Sequence, residues 1–129
     1  MELKKLIARH VEDCSDQTTF RFRIRCEACG GAFESRPVRF SKAEAIPETP
    51  EKKLIYETMR QQELEFGREC AMSELAEHMN VCPVCKRMVC NSCFLICEDL
   101  DICVDCAAKL NETGVPVITS DSAAGFVPA

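Results

Sequence analysis

A small α+β domain assembled around paired cysteines is what this 129-residue sequence predicts, and three observations carry that reading. Four Cys-x-x-Cys pairs account for eight of the eleven cysteines: CEAC (Cys26–Cys29), CPVC (Cys82–Cys85), CNSC (Cys90–Cys93) and CVDC (Cys103–Cys106). The residues around the first pair alternate apolar and polar, as half-buried strands do. Two further stretches have helical character, one at the N-terminus and a longer one between the first and second pairs.

Each element follows from its residues. Leu3, Leu6, Ile7, His10, Val11 and Cys14 recur at i, i+3, i+4, i+7, i+8 and i+11, which predicts an amphipathic helix within residues 1–16 with His10 at its boundary. Residues 20–40 read as strand, knuckle and strand. Phe20, Phe22, Ile24 and Cys26 alternate with Arg21, Arg23 and Arg25, Gly30 and Gly31 supply the turn, and Phe33 to Phe40 returns. Pro47 and Pro50 mark a linker. Thr49 as a capping hydroxyl, Pro50 at the first position and Glu51 behind it start a helix expected over residues 50–80, a length of about 45 Å. Such a helix outruns a small core, so part of it is expected to project or to pack on a partner. Cys70, Glu74 and His78 share one face of it and form a third, weaker candidate metal set. Residues 82–111 hold six of the paired cysteines and end in a short helix, and 119–129 is expected to be a disordered tail.

The N-terminus MELKKLIARHVED has no continuous apolar core of a signal peptide, and no run approaches the ~18 apolar residues of a membrane span. The expectation is therefore a reducing cytoplasm with no membrane partner. There an odd number of cysteines argues against a closed disulfide framework. Zinc takes four ligands tetrahedrally and commonly takes thiolates from two Cys-x-x-Cys knuckles, so four pairs imply two zinc ions held by four cysteines each. Ferredoxin-type clusters use closer spacing, and a thioredoxin-like redox pair expects a βαβ context that is missing here. Five residue steps separate Cys85 from Cys90, at most ~17 Å of chain. That spacing suits adjacent pairs serving different ions, in a cross-brace of first pair with third and second with fourth. Sequential pairing is the alternative: Cys26 and Cys29 with Cys82 and Cys85, and Cys90 and Cys93 with Cys103 and Cys106.

CEACGGAF, CPVCKRMVCNSC and ICVDC together resemble the eight-cysteine frame of FYVE-type fingers and their relatives in the treble-clef and RING-like group. The resemblance covers about 45 residues outside the segment between Cys29 and Cys82. It implies that Cys26, Cys29, Cys90 and Cys93 bind one zinc and Cys82, Cys85, Cys103 and Cys106 the other, in a treble-clef shape. The layout is also similar to small bacterial double zinc-ribbon proteins. Where FYVE domains carry a basic RRHHCR-like lipid-binding segment, this chain has AEHMNVC, so phosphoinositide binding does not carry over.

Cys14, Cys70 and Cys97 remain outside the pairs, and none is flanked by the basic cluster that activates a thiolate. With two His, no Gly-rich phosphate loop and closed four-thiolate sites, the sequence points away from an enzyme and from a small-molecule substrate. It points to a zinc-built adaptor that binds protein, or assembles with itself, through its helices. The alternative is nucleic-acid binding through Arg21, Arg23 and Arg25 with Arg36 and Arg39. A thiol redox sensor is more remote. Formal net charge is -5, and two all-thiolate zinc sites would add about -2 each, which disfavours nonspecific nucleic-acid binding.

Overall fold

The computed structural model describes residues 3–117, so the expected tail at 119–129 lies outside the described residues. Among the described residues, three helices and a set of short antiparallel strands surround one core.

The first helix, α1, spans Leu3–His10 and buries Leu6 and Ile7. It ends short of the expected residue 16 because the chain is captured by a strand. Glu12–Asp13 (β1) pairs antiparallel with Phe22–Arg25 (β3), Glu12 opposite Arg23. The Glu12 carboxylate accepts from Arg23 at 2.6 Å and lies 3.4 Å from Arg25. Cross-strand charge pairing of this kind outcompetes another turn of helix. Val11 and Cys14 therefore leave the helical stripe.

The alternating stretch divides. Thr19–Phe20 (β2) pairs with Val38–Arg39 (β5), while β3 pairs with Ala32–Glu34 (β4). Between them the Arg21 carbonyl turns away to accept from Cys14 N–H and the Ser15 hydroxyl. Burial follows the period-2 pattern: Phe20, Phe22, Ile24 and Cys26 are buried, whereas Arg21 and Arg25 are exposed and Arg23 half-buried. The returning strand is broken at Pro37, which has no N–H to give a ladder. Ser35, buried beside the break, accepts from Phe22 N–H through its hydroxyl.

The long helix α2 runs Pro50–Ala76, with the Thr49 hydroxyl accepting from Lys52 N–H as its cap. It stops before residue 80 because Asn91 reaches back: its side chain donates to the Glu77 carbonyl and its backbone N–H to the His78 carbonyl. Met79–Val81 then becomes β6, paired with Met88–Cys90 (β7). Only Ala71, Met72 and Leu75 of α2 are buried, all near its C-terminal end, where it packs on α1, β3 and β6. Further toward the N-terminus Tyr56 meets Phe40 edge-on, and Arg60 lies over the Phe20 ring.

A single 3-10 turn, Asn91–Cys93, leads into Phe94–Cys97 (β8). This strand pairs with Asp101–Cys103 (β9) and with Gly114–Pro116 (β10). Between β9 and β10 lies α3, Val104–Leu110, closed by Asn111 in the left-handed conformation suited to a helix end. Gly114 passes so close to β8 that a Cβ there would lie 2.6 Å from the Ile96 carbonyl and 2.8 Å from Cys97 Sγ.

Candidate metal centres

Two hairpins of the same construction position the first half of each site. In one, β3 and β4 flank Cys26–Gly31; in the other, β6 and β7 flank Cys82–Arg87. Cys26 N–H donates to Gly31 O and Gly30 N–H to Cys26 O; Cys82 N–H likewise donates to Arg87 O and Lys86 N–H to Cys82 O. Each turn needs a residue at positive φ after the second cysteine. Gly30 fills it at 76° and Lys86 at 66°. The difference has a measurable consequence. Gly30→Ala is expected to cost about 1 kcal/mol although its Cβ would meet nothing within 4 Å, because only backbone strain is at stake. Lys86→Gly is expected to leave stability unchanged or raise it by about 0.5–1 kcal/mol. Paired denaturant titrations at fixed metal content check both.

The second half of each site comes from elsewhere in the chain. Cys90 ends β7 and Cys93 closes the 3-10 turn, which carries them to the first knuckle. Cys103 ends β9 and Cys106 sits in the first turn of α3, facing the second knuckle. The sulfurs of Cys26, Cys29, Cys90 and Cys93 lie within 4.8 Å of one another, as do those of Cys82, Cys85, Cys103 and Cys106. The first pair thus meets the third and the second meets the fourth; the sequential grouping is not what the fold makes. Cys29 and Cys90 sulfurs are 3.8 Å apart and those of Cys85 and Cys103 are 3.7 Å apart. Disulfide sulfurs stand at about 2.05 Å. A tetrahedral ion with metal–sulfur bonds of about 2.3 Å has sulfur–sulfur edges of about 3.8 Å by geometry. Both groups therefore have the dimensions of a site that can hold one metal ion.

Backbone N–H groups aim at the sulfurs and favour their ionised form. Cys26 Sγ accepts from Ala28 and Cys29 at 3.3 Å and from Cys90 at 3.2 Å. Burial opposes ionisation of Cys26, but these donors outweigh it and draw the thiol down to about 7. Cys85 behaves alike: burial raises it, and the Arg87 guanidinium and backbone N–H, with the neighbouring Cys82 and Cys103, bring it down to about 6. The last thiols go the other way. Burial, with neighbouring sulfurs, pushes Cys93 well up and Cys106 up to about 12. Four thiols so close cannot all ionise unless a cation joins them, which is the chemistry of a metal-ligating set.

Arg87 carries no mark in the sequence, yet it bonds the second group directly. Its Nε donates to Cys85 Sγ at 3.5 Å and its Nη2 to Cys103 Sγ at 3.6 Å, while Asp105 holds the guanidinium at 2.6 Å. Sequence reasoning misses it because the contact depends on β9 and α3 folding back onto the knuckle.

The other candidate residues are placed elsewhere. Among the described residues Cys70, Glu74 and His78 do not form a ligand group. The Glu74 carboxylate accepts from Arg36 N–H, and His78 stacks on Phe33 at 5.1 Å. His10 lies 3.9 Å from Glu27. Cys14 and Cys70 are exposed, and Cys97 is buried in β8 outside both groups. Of the arginines, Arg23 and Arg25 share Glu12, and Arg39 pairs with Glu44. Their hydrogen bond and charge hold the Glu12 carboxyl below its ordinary range. Among the described residues no helix is long and apolar enough to cross a membrane. Comparison of the chain with protein-family models, with curated proteins and with solved structures returned no match.

Proposed function

We infer that this protein is a non-enzymatic, zinc-built scaffold that acts by docking another protein on the outer face of α2. The closure of the two sulfur groups is the observation that carries it. Four thiolates complete a tetrahedral ion, leaving none of the open coordination that catalytic zinc keeps for water or substrate. Zinc is the ion of choice because a four-sulfur tetrahedral set suits zinc or iron, and zinc adds no redox chemistry to a structural role. The second site supports a treble-clef type, with its knuckle, the β8–β9 hairpin, and a helix whose first turn supplies the last ligand.

Protein docking is favoured by what α2 leaves uncovered. Ile55 and Phe66 are 59% and 71% exposed on this helix, Ile55 lining one surface hollow with Ile46 and Phe66 lining another with Val38. Large apolar side chains clustered at a surface mark interaction sites. The arginines of β3 and β5 are largely engaged by Glu12 and Glu44, which leaves fewer free cations for phosphates than the sequence alone suggests.

The experiment is light scattering and affinity purification of the metal-loaded chain beside Ile55→Glu/Phe66→Glu. Both side chains are exposed, so the variant is expected to keep its metal and melting temperature while losing its partner or its self-association. Binding that survives this variant but fails on Arg21→Ser/Arg36→Ser, with steep salt dependence, would overturn the docking reading in favour of nucleic acid.

A further inference from the structure

We propose that the two sulfur groups fill with metal as one unit, coupled through residues 85–90, with Arg87 and Glu27 as the positioning residues. This rests on reading both groups as metal centres and extends that reading to how they load.

Residues 85–90 begin with a sulfur of the second group and end with a sulfur of the first. Between those ends, Arg87 bonds to both sides and Met88 bonds to the first knuckle. Arg87 donates to Cys85 and Cys103 sulfurs of the second group, and its Nη1 donates at 3.2 Å to the Glu27 carbonyl inside the first knuckle. Met88 N–H donates to the Glu27 carboxylate at 2.9 Å, and Glu27 N–H donates to the Met88 carbonyl at 2.9 Å. Two residues later, Cys90 N–H donates to Cys26 Sγ. The knuckle of one site is thus laid against the strand that leaves the knuckle of the other.

A chain this short cannot be ordered at one end and free at the other. An ion at the second group fixes Cys85 and sets Arg87 against Glu27, which puts Met88 and Cys90 where the first group needs them. An ion at the first group fixes Cys26, Cys29 and Cys90 and sets the same residues for the second. Whichever ion binds first meets the ordering cost of the shared segment, and the next is spared it, which is positive cooperativity. Charge acts in the opposite sense, since two filled all-thiolate sites of about -2 each repel. The guanidinium offsets this, bonded on one side to sulfurs of the second group and on the other to the first knuckle. Arg is suited to the place because its planar fork reaches both sides at once, whereas the ammonium of Lys is a single point charge.

The test is native mass spectrometry of the reduced, metal-free full chain given one equivalent of Zn(II), counting chains with zero, one and two metals. Independent equal sites leave about half of the chains with one metal. Coupling within the usual allosteric range, on the order of 16-fold, lowers that share to about one fifth. Wild type is expected at or below one fifth. Arg87→Lys is expected to raise the one-metal share to half or more. Glu27→Ala is expected to do the same although the Glu27 carboxylate bonds Met88 N–H and no sulfur. Glu27→Gln, which keeps an acceptor, should behave as wild type, and the double variant Arg87→Lys/Glu27→Ala should be no less coupled than either single one. A one-metal share of half or more in wild type overturns the coupling while leaving two metal centres standing. A cooperative wild type that neither single substitution alters overturns the role of these residues. A chain that takes up no Zn(II) overturns the metal reading itself.

Discussion

Stripping the metal under reducing conditions is expected to unfold the domain, and Cys82→Ser is expected to come close to the same result. Sulfurs of both groups are part of the core: Cys26, Cys82, Cys90 and Cys103 are 2% exposed or less and belong to one buried cluster with Ile24, Met88, Val89 and Ile102. Structural zinc in zinc-finger peptides binds with about 10–16 kcal/mol of apparent free energy near neutral pH. Whole domains are stable by about 5–15 kcal/mol, so losing even one ion removes a quantity as large as the total. The metal-free chain would also have to keep four close thiols in each group protonated or repelling. A serine hydroxyl at position 82 supplies no thiolate and leaves the Cys103 N–H without the sulfur it donates to at 3.4 Å. Protons compete for the same thiolates, so acidification is expected to release the metal and unfold the chain together. Metal content, near-ultraviolet circular dichroism and thermal melting measured on one sample decide it. Cys97→Ala is the control: a buried cysteine outside both groups, it is expected to keep two metals and lose about 1 kcal/mol. A cooperative melt that survives complete chelation would show that the apolar core suffices alone.

Why some of this was readable in the sequence and some was not follows from the range of the interactions. The knuckles are local: two cysteines with two residues between them, and a turn residue behind, specify their own geometry. The alternation from Phe20 to Cys26 and the Thr49–Pro50 helix start are local too. What the chain does over longer distances is not written at one place. Cys26 and Cys29 meet Cys90 and Cys93 across the 60 residues that lie between Cys29 and Cys90, and no spacing rule by itself chooses between cross-braced and sequential groups. The true end of α1 depends on Glu12 finding Arg23 and Arg25 across a strand pair, and the end of α2 depends on Asn91 reaching its last turn. The same cross-strand pairing changes the sense of the arginine ladder. A row of three Arg gives no sign in the sequence that one carboxylate, Glu12, pairs with two of them, Arg23 and Arg25.

Leu75→Ala is expected to separate what the apolar core contributes from what the metal contributes. Leu75 is fully buried in the last turns of α2, next to Ala71 and Met72, where the helix meets α1 and the hairpins. Truncating a buried leucine removes its transfer free energy and leaves a cavity that the surroundings fill incompletely, at about 2–5 kcal/mol. For a domain of this size the melting temperature should fall by on the order of 10 °C. The cysteines are untouched and the knuckles are held by their own turns, so the folded variant should still carry two metals. Leu54→Ala, at a site 66% exposed on the same helix, should change stability by less than about 0.5 kcal/mol. Calorimetry with metal analysis distinguishes the possible arrangements. A large drop with metal retained places α2 inside the cooperative unit that the metal centres anchor. An unchanged melting temperature would mean that the sulfur groups and their hairpins fold without it, leaving α2 an appendage rather than a wall of the core.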